Sequence, residues 1–215
     1  AHVWSWDVKD GWPRRNEYRD KLVECASAAP NPQEWLLSQA VLCNFPIGSH
    51  IARDKRLATT VERFTTTAVP YQLFISWNTH IAVKDTDIAA CAAAVQTSRA
   101  RVYVHAPYMI NIANPGGNNY AIKCLSRTLD IAAAAGFKGV VVHTPHSDVK
   151  GTPLKRPLQS TIEFLAEVLK HATPECPLLL ETPAHQGTEM LWEVERFLGF
   201  VERMCAFEPE FAERL

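Results

Sequence analysis

The 215 residues carry 22 basic and 23 acidic side chains, a net charge of −1, and a hydrophobic fraction of 47%. That balance suits a globular chain with a sizeable core, as one domain or a domain plus an extension. It excludes attachment to nucleic acid by bulk charge, so any such role needs a local basic face. No run approaches the ~20 apolar residues of a membrane-spanning helix. The N-terminal segment from Ala1 to Asp7 lacks the basic-then-apolar layout of a signal peptide. Six cysteines (Cys25, Cys43, Cys91, Cys124, Cys176, Cys205) are scattered with no CxxC pair. They read as buried, reduced thiols of an intracellular protein, cytoplasmic or nuclear.

Residues 1–45 form an N-terminal extension rich in tryptophan: Trp4, Trp6, Trp12 and Trp35. Helical patches are expected over Glu17–Ser27 and, behind a cap at Asn31, over Pro32–Leu42. The segment from Pro46 to Ile51 reads as a first strand ending on His50, followed by a helix from Leu57 to Val69. Tyr71–Ser76 is the second strand, and the next helix, Thr86–Thr97, carries Ile88, Ala92 and Val95 on one face. Arg101–His105 is the third strand. After the turn from Asn114 to Asn118, which offers Asn118 as a cap, a helix buries Ile122, Leu125, Leu129 and Ala132 and stops at Gly136. Lys138–His143 is the fourth strand. A polar loop then leads to a helix with Ile162, Leu165, Val168 and Leu169 inward. Leu178–Glu181 is the fifth strand, and a last helix from Thr188 to Cys205 sets Leu191, Val194, Leu198 and Val201 on one face.

Strand and helix alternate five times, which predicts parallel strands joined by right-handed crossovers. The expected fold is α/β, of (β/α)8 TIM-barrel type, with about five βα units over residues 46–215. A doubly wound sheet is the rival. Three strands end alike. His105, His143 and Glu181 each close an apolar run, each stands two residues before a proline, and the three are evenly spaced. Function at the C-terminal ends of parallel strands is the habit of barrels. Two imidazoles and a carboxylate are normal zinc ligands, so these three predict a shared zinc site.

At these strand ends the sequence resembles the endonuclease IV family of apurinic/apyrimidinic (AP) endonucleases. The matching pieces are Gly48-Ser49-His50-Ile51, then His105-Ala106-Pro107-Tyr108-Met109-Ile110-Asn111, then Val142-His143-Thr144-Pro145, then Glu181-Thr182-Pro183-Ala184-His185-Gln186-Gly187, in family order. The resemblance implies a TIM barrel with a three-zinc cluster that hydrolyses the phosphodiester 5′ to an abasic site in double-stranded DNA. It makes His105 and His143 ligands of one zinc, and Glu181 the catalytic carboxylate bridging to a second. It places Tyr108 and Met109 where the family wedges into the duplex beside the lesion. The chain departs from the pattern in three places. His185 and His146 stand where the family has or favours glycine, and the loop Trp77-Asn78-Thr79-His80 lacks the family's inserted arginine. His80, His146 and His185 are candidate phosphate contacts.

The family's sixth strand would begin at Leu215, so five of eight strands are expected here. A missing C-terminal segment or another chain is then expected to complete the barrel. Residues 1–215 alone are expected to bind at most one zinc and to show no appreciable cleavage. Two other readings stay open: a non-catalytic structural or interaction module that keeps the fold, and a metal-dependent sugar isomerase or epimerase on a related barrel.

Overall fold

A computed structural model of the chain describes residues 48–64, 70–78, 80–97, 101–114, 119–146, 155–183 and 188–215. The N-terminal extension and its two expected helices lie outside the described residues. Five strands form one sheet: β1 (Ser49–His50), β2 (Tyr71–Phe74), β3 (Val102–His105), β4 (Val140–His143) and β5 (Leu178–Glu181). They lie in sequence order, and every neighbouring pair is parallel. A helix follows each strand: α1 (Leu57–Arg63), α2 (Asp85–Thr97), α3 (Tyr120–Ala134), α4 (Lys155–Val168) and α5 (Val194–Phe207). Sequential order is that of a (β/α) barrel, whereas a doubly wound sheet reverses its order partway. The strands match the sequence expectation to within a few residues at either end.

The register explains why the strands read as apolar runs that stop on polar residues. Side chains alternate between the faces of a sheet, and residues paired across strands share a face. Leu73, Val104, Val140 and Leu178 pair in one row. All four are fully buried with the inward sides of the helices, a burial that contributes about 1.5–3 kcal/mol per side chain. The opposite face carries Phe74, His105, Val141 and Leu179 in one row, and His143 with Glu181 one step further on. The three predicted zinc ligands therefore lie on one face, at the C-terminal ends of their strands.

Local chemistry fixes the connections. In α3, Leu125, Leu129 and Ala132 are buried as expected, with Ile122 at the margin. Gly136 follows with φ +74°, Phe137 N–H donates to Ala132 O (2.9 Å) and Gly136 N–H to Ala133 O (3.0 Å). That is a Schellman stop, which favours glycine because the left-handed conformation costs a residue with a Cβ. The N-cap of α3 is Asn119, itself left-handed and making no side-chain cap bond; Asn118 lies outside the described residues. The start of α1 is capped from a distance. The buried carboxylate of Asp87, on α2, accepts from Leu57 N–H (2.8 Å) and Ala58 N–H (3.1 Å). Cys91, Cys124 and Cys176 are buried and unpaired. Burial pushes the Cys91 thiol up to about 12, so it is no nucleophile at neutral pH.

The last helix departs from expectation. It starts at Val194 rather than Thr188, and Leu191 precedes it, buried, at φ +63°. Val194 and Leu198 are exposed, while Phe200 and Met204 face inward. The sequence offers two apolar stripes on this helix, and the one with the larger side chains buries more area and takes the core. Beyond it, Leu178 N–H donates to Arg214 O at 2.9 Å. Tyr71 N–H to Arg101 O and Val140 N–H to Pro177 O are the same bond at the starts of β3 and β5. Leu215 thus lies beside β5 where the first residue of a next parallel strand sits, so the start of the β5 edge is not bare. No helix among the described residues is long and apolar enough to cross a membrane.

Candidate metal centre

His105, His143 and Glu181 converge. His105 Nε2 lies 3.1 Å from Glu181 Oε2, and His143 Nε2 lies 3.6 Å from the same oxygen. The three ligand atoms all fall within 4.8 Å of one another. A tetrahedral zinc with ligands at ~2.0–2.2 Å separates them by about 3.3–3.6 Å along each edge. The two separations to Glu181 sit close to that range. Among the described residues this is the one such group of three or more.

The imidazole of His105 is set for a ligand's role. It is 4% exposed, and its Nδ1–H donates to the Ala106 carbonyl at 2.6 Å. A carbonyl only accepts, so the proton belongs on Nδ1 and the Nε2 lone pair faces Glu181. Nε2 and Glu181 Oε2 face each other across 3.1 Å, a gap that a proton or a metal cation would bridge. A backbone carbonyl holding the far nitrogen is the usual support of a metal-bound histidine. These residues fit zinc: the donor types, their spacing and the fixed tautomer agree.

His143 is half-buried, and burial holds its pKa below the ordinary 6.5, against an upward pull from Glu181. The neutral form, which can bind metal, therefore persists to lower pH. Zinc affinity is expected to hold near neutral pH and to fall as the pH drops below about 6.5, the histidine reference value, with the loss of His143 at the acid end. Competition titrations at a series of pH values check this. A flat profile down to pH ~5 would remove the histidines from the site. The lowered pKa also means that the unfolded chain binds the proton more readily, so this group's contribution to stability falls as the pH falls through that window.

Aromatic rings surround the triad. The Phe74 ring, buried, lies 4.6 Å from that of His50, 5.0 Å from His105 and 5.2 Å from Tyr108. Tyr108 meets His143 edge-on at 5.3 Å. It rests on the metal-site rings, yet Tyr108 and its neighbour Met109 are each 60% exposed. They stand at the strand ends as the sequence predicted.

Nothing in the sequence pattern marks Asn111 for a role. Its buried amide donates from Nδ2 to the His146 carbonyl (2.9 Å) and accepts at Oδ1 from His146 N–H (3.3 Å) and Ala113 N–H (3.0 Å). His146 also bridges to Glu189, and Met190 N–H donates to Pro145 O at 2.9 Å. The loops after β3, β4 and β5 are thereby joined around His146. His146 is half-buried and close enough to His143 to lower its pKa. His80 is exposed in the loop after β2. His185 lies outside the described residues.

Residues 59–205 match the sequence profile of the xylose isomerase-like TIM barrel family. The chain belongs to that family. Within it, the resemblance to endonuclease IV is borne out by curated relatives. A probable endonuclease 4 of Staphylococcus epidermidis is 36% identical over 112 residues, covering 50% of this chain and 37% of the relative. The chain thus matches well under half of that relative's length. Among solved structures, endonuclease IV from Thermus thermophilus superposes with a TM-score of 0.57 at 22% identity, over 72% of this chain and 58% of that one. A D-tagatose 3-epimerase-like protein gives 0.53 at 13% identity, over 73% and 60%. Both structures show the family's barrel fold.

Proposed function

We propose that this chain provides strands one to five of a zinc-dependent DNA-repair phosphodiesterase of the endonuclease IV type, which hydrolyses the bond 5′ to an abasic site in double-stranded DNA. The reading is carried by one observation: a zinc-compatible His105–His143–Glu181 triad flanked by exposed Tyr108 and Met109. His105 and His143 supply neutral nitrogen ligands, and Glu181, its side chain 46% exposed, supplies the charge and the edge open to a second ion. Zinc, when bound, supplies Lewis acidity toward a phosphoryl oxygen and a nucleophilic water at neutral pH. Tyr108 and Met109 enter the duplex beside the lesion. An abasic nucleotide has no base to unpair, so flipping it costs less than flipping an intact one. His146 and His185 contact backbone phosphates. Such a substrate places the protein inside the cell, in cytoplasm or nucleus.

Closure of the eight-stranded ring, by further residues or by another chain, belongs to the same proposal. Residues 1–215 by themselves are expected to bind one zinc and to prefer abasic over intact duplex. Nicking 5′ to the lesion, stopped by a chelator, is expected once the ring is closed. Replacing Tyr108 and Met109 together with alanine should weaken abasic-duplex binding roughly tenfold or more, the scale of about 1–3 kcal/mol for a lost stacking contact, and should leave intact-duplex binding nearly unchanged. Equal losses on both duplexes would reduce the pair to loop packing. Turnover of a ketose without any preference for abasic DNA would instead favour the epimerase reading.

A further inference from the structure

Trp77 is 67% exposed, more than any other large apolar side chain among the described residues. It is nonetheless packed against a neighbouring ring. Its ring centroid lies 4.2 Å from that of buried Phe74, at an interplanar angle of 35°. The loop beneath it is tied by its own side chains: Ser76 Oγ donates to His80 O (2.9 Å), and Asn78 Oδ1 accepts from His80 N–H (2.9 Å). One broad side of the indole is seated, and most of its surface remains in water. Phe74 in turn touches both His105 and Tyr108. Trp77, Phe74 and Tyr108 thus form an arc of rings beside the metal ligands, with its two ends exposed.

An exposed indole resting on a buried ring suits a flat π-faced ligand, because its free surface offers a base a π-face to stack on. Resting on the DNA-repair reading above, we infer that Trp77 is a nucleobase-stacking residue that holds an unpaired or frayed base near the abasic nucleotide. A single ring separates it from Tyr108, a span of no more than about three base steps of 3.4 Å. Stacking is tolerant of base identity, since every base has a π-face. Trp77 would therefore strengthen and register binding without reading sequence.

The test pairs protein variants with altered DNA. Fluorescent duplexes carry one abasic site, and in a series carry a second abasic residue at each of the flanking positions in turn. Trp77→Ala is expected to weaken binding of the singly abasic duplex about 5- to 100-fold, and Trp77→Phe by less than about threefold, since it keeps a ring. The Trp77→Ala loss should disappear at one flanking position, where the stacked base is already gone. Zinc affinity and circular dichroism of both variants serve as fold controls, because an exposed side chain carries little of the core. A loss that persists at every position, or no loss at all, would overturn the inference, as would failure of the wild-type protein to bind DNA. Failure of the repair reading looks different: abasic and intact duplexes bind equally well, while a Trp77-dependent, position-specific loss remains.

Discussion

Replacing His105 with alanine should abolish measurable zinc binding. The other two ligands, His143 and Glu181, would keep their places, but two donors do not make a zinc site. Loss of a mere supporting partner of a metal ligand typically costs about 10- to 100-fold in affinity, so loss of the ligand itself should exceed about 100-fold. His105 is the most telling of the three because it is the most buried and the most firmly oriented, by the Ala106 carbonyl. Two readouts check the result. Titration should show one zinc per wild-type chain and none for the variant. Zinc at about 100 times its Kd should stabilise the wild type by roughly 2.7 kcal/mol, and the variant not at all. Zinc bound within tenfold of wild type by a folded His105→Ala chain would mean that the three residues meet for structural reasons alone.

Much of this site was legible because its causes are short-range. Val102 to His105 and Val140 to His143 are runs whose outward residues must be buried, and the residue at which apolar character stops marks the strand's C-terminal end. Once five such runs are parallel and in sequence order, their last inward residues meet without further instruction. Gly136 was legible for a similar reason, since a helix stop is written in adjacent residues. What escaped reading depends on partners far along the chain. Asp87 caps a helix that begins 30 residues earlier, and Asn111 holds a loop 35 residues later. No periodicity records either contact. The Phe74–Trp77 pair was hidden differently: Phe74 reads as one more apolar strand residue, yet it pairs in register with His105 and so belongs to the site face. The last helix was misread because two stripes satisfied the same 3.6-residue period, and only packing chooses between them.

Gly48→Ala is expected to detach the first strand. A Cβ built at Gly48 would lie 2.3 Å from the carbonyl oxygen of Pro70 and 2.9 Å from its carbonyl carbon. Both are backbone atoms of the segment leading into β2, so no side-chain rotation relieves the clash. The two strands must separate or the chain must tilt. The pairing at stake is short: Ser49 with Tyr71, His50 with Gln72, and the bond from Ile51 N–H to Gln72 O at 2.8 Å. Ile51, which follows directly, is buried in the main core. Overpacking of this kind costs about 1–3 kcal/mol, and more where the backbone must shift. The damage should be local, because β2 to β5 keep their own pairings. Amide exchange should therefore quicken at Ile51 while protection across β3 and β4 is kept, and the urea slope should fall, because a chain with β1 already detached has less surface left to expose on unfolding. Zinc affinity should change little, since its ligands sit on β3, β4 and β5. A variant with wild-type stability and undisturbed protection at Ile51 would show that β1 does not depend on the close approach of Gly48 to Pro70. A variant that lost zinc along with β1 would show that His50 and its strand support the metal centre directly.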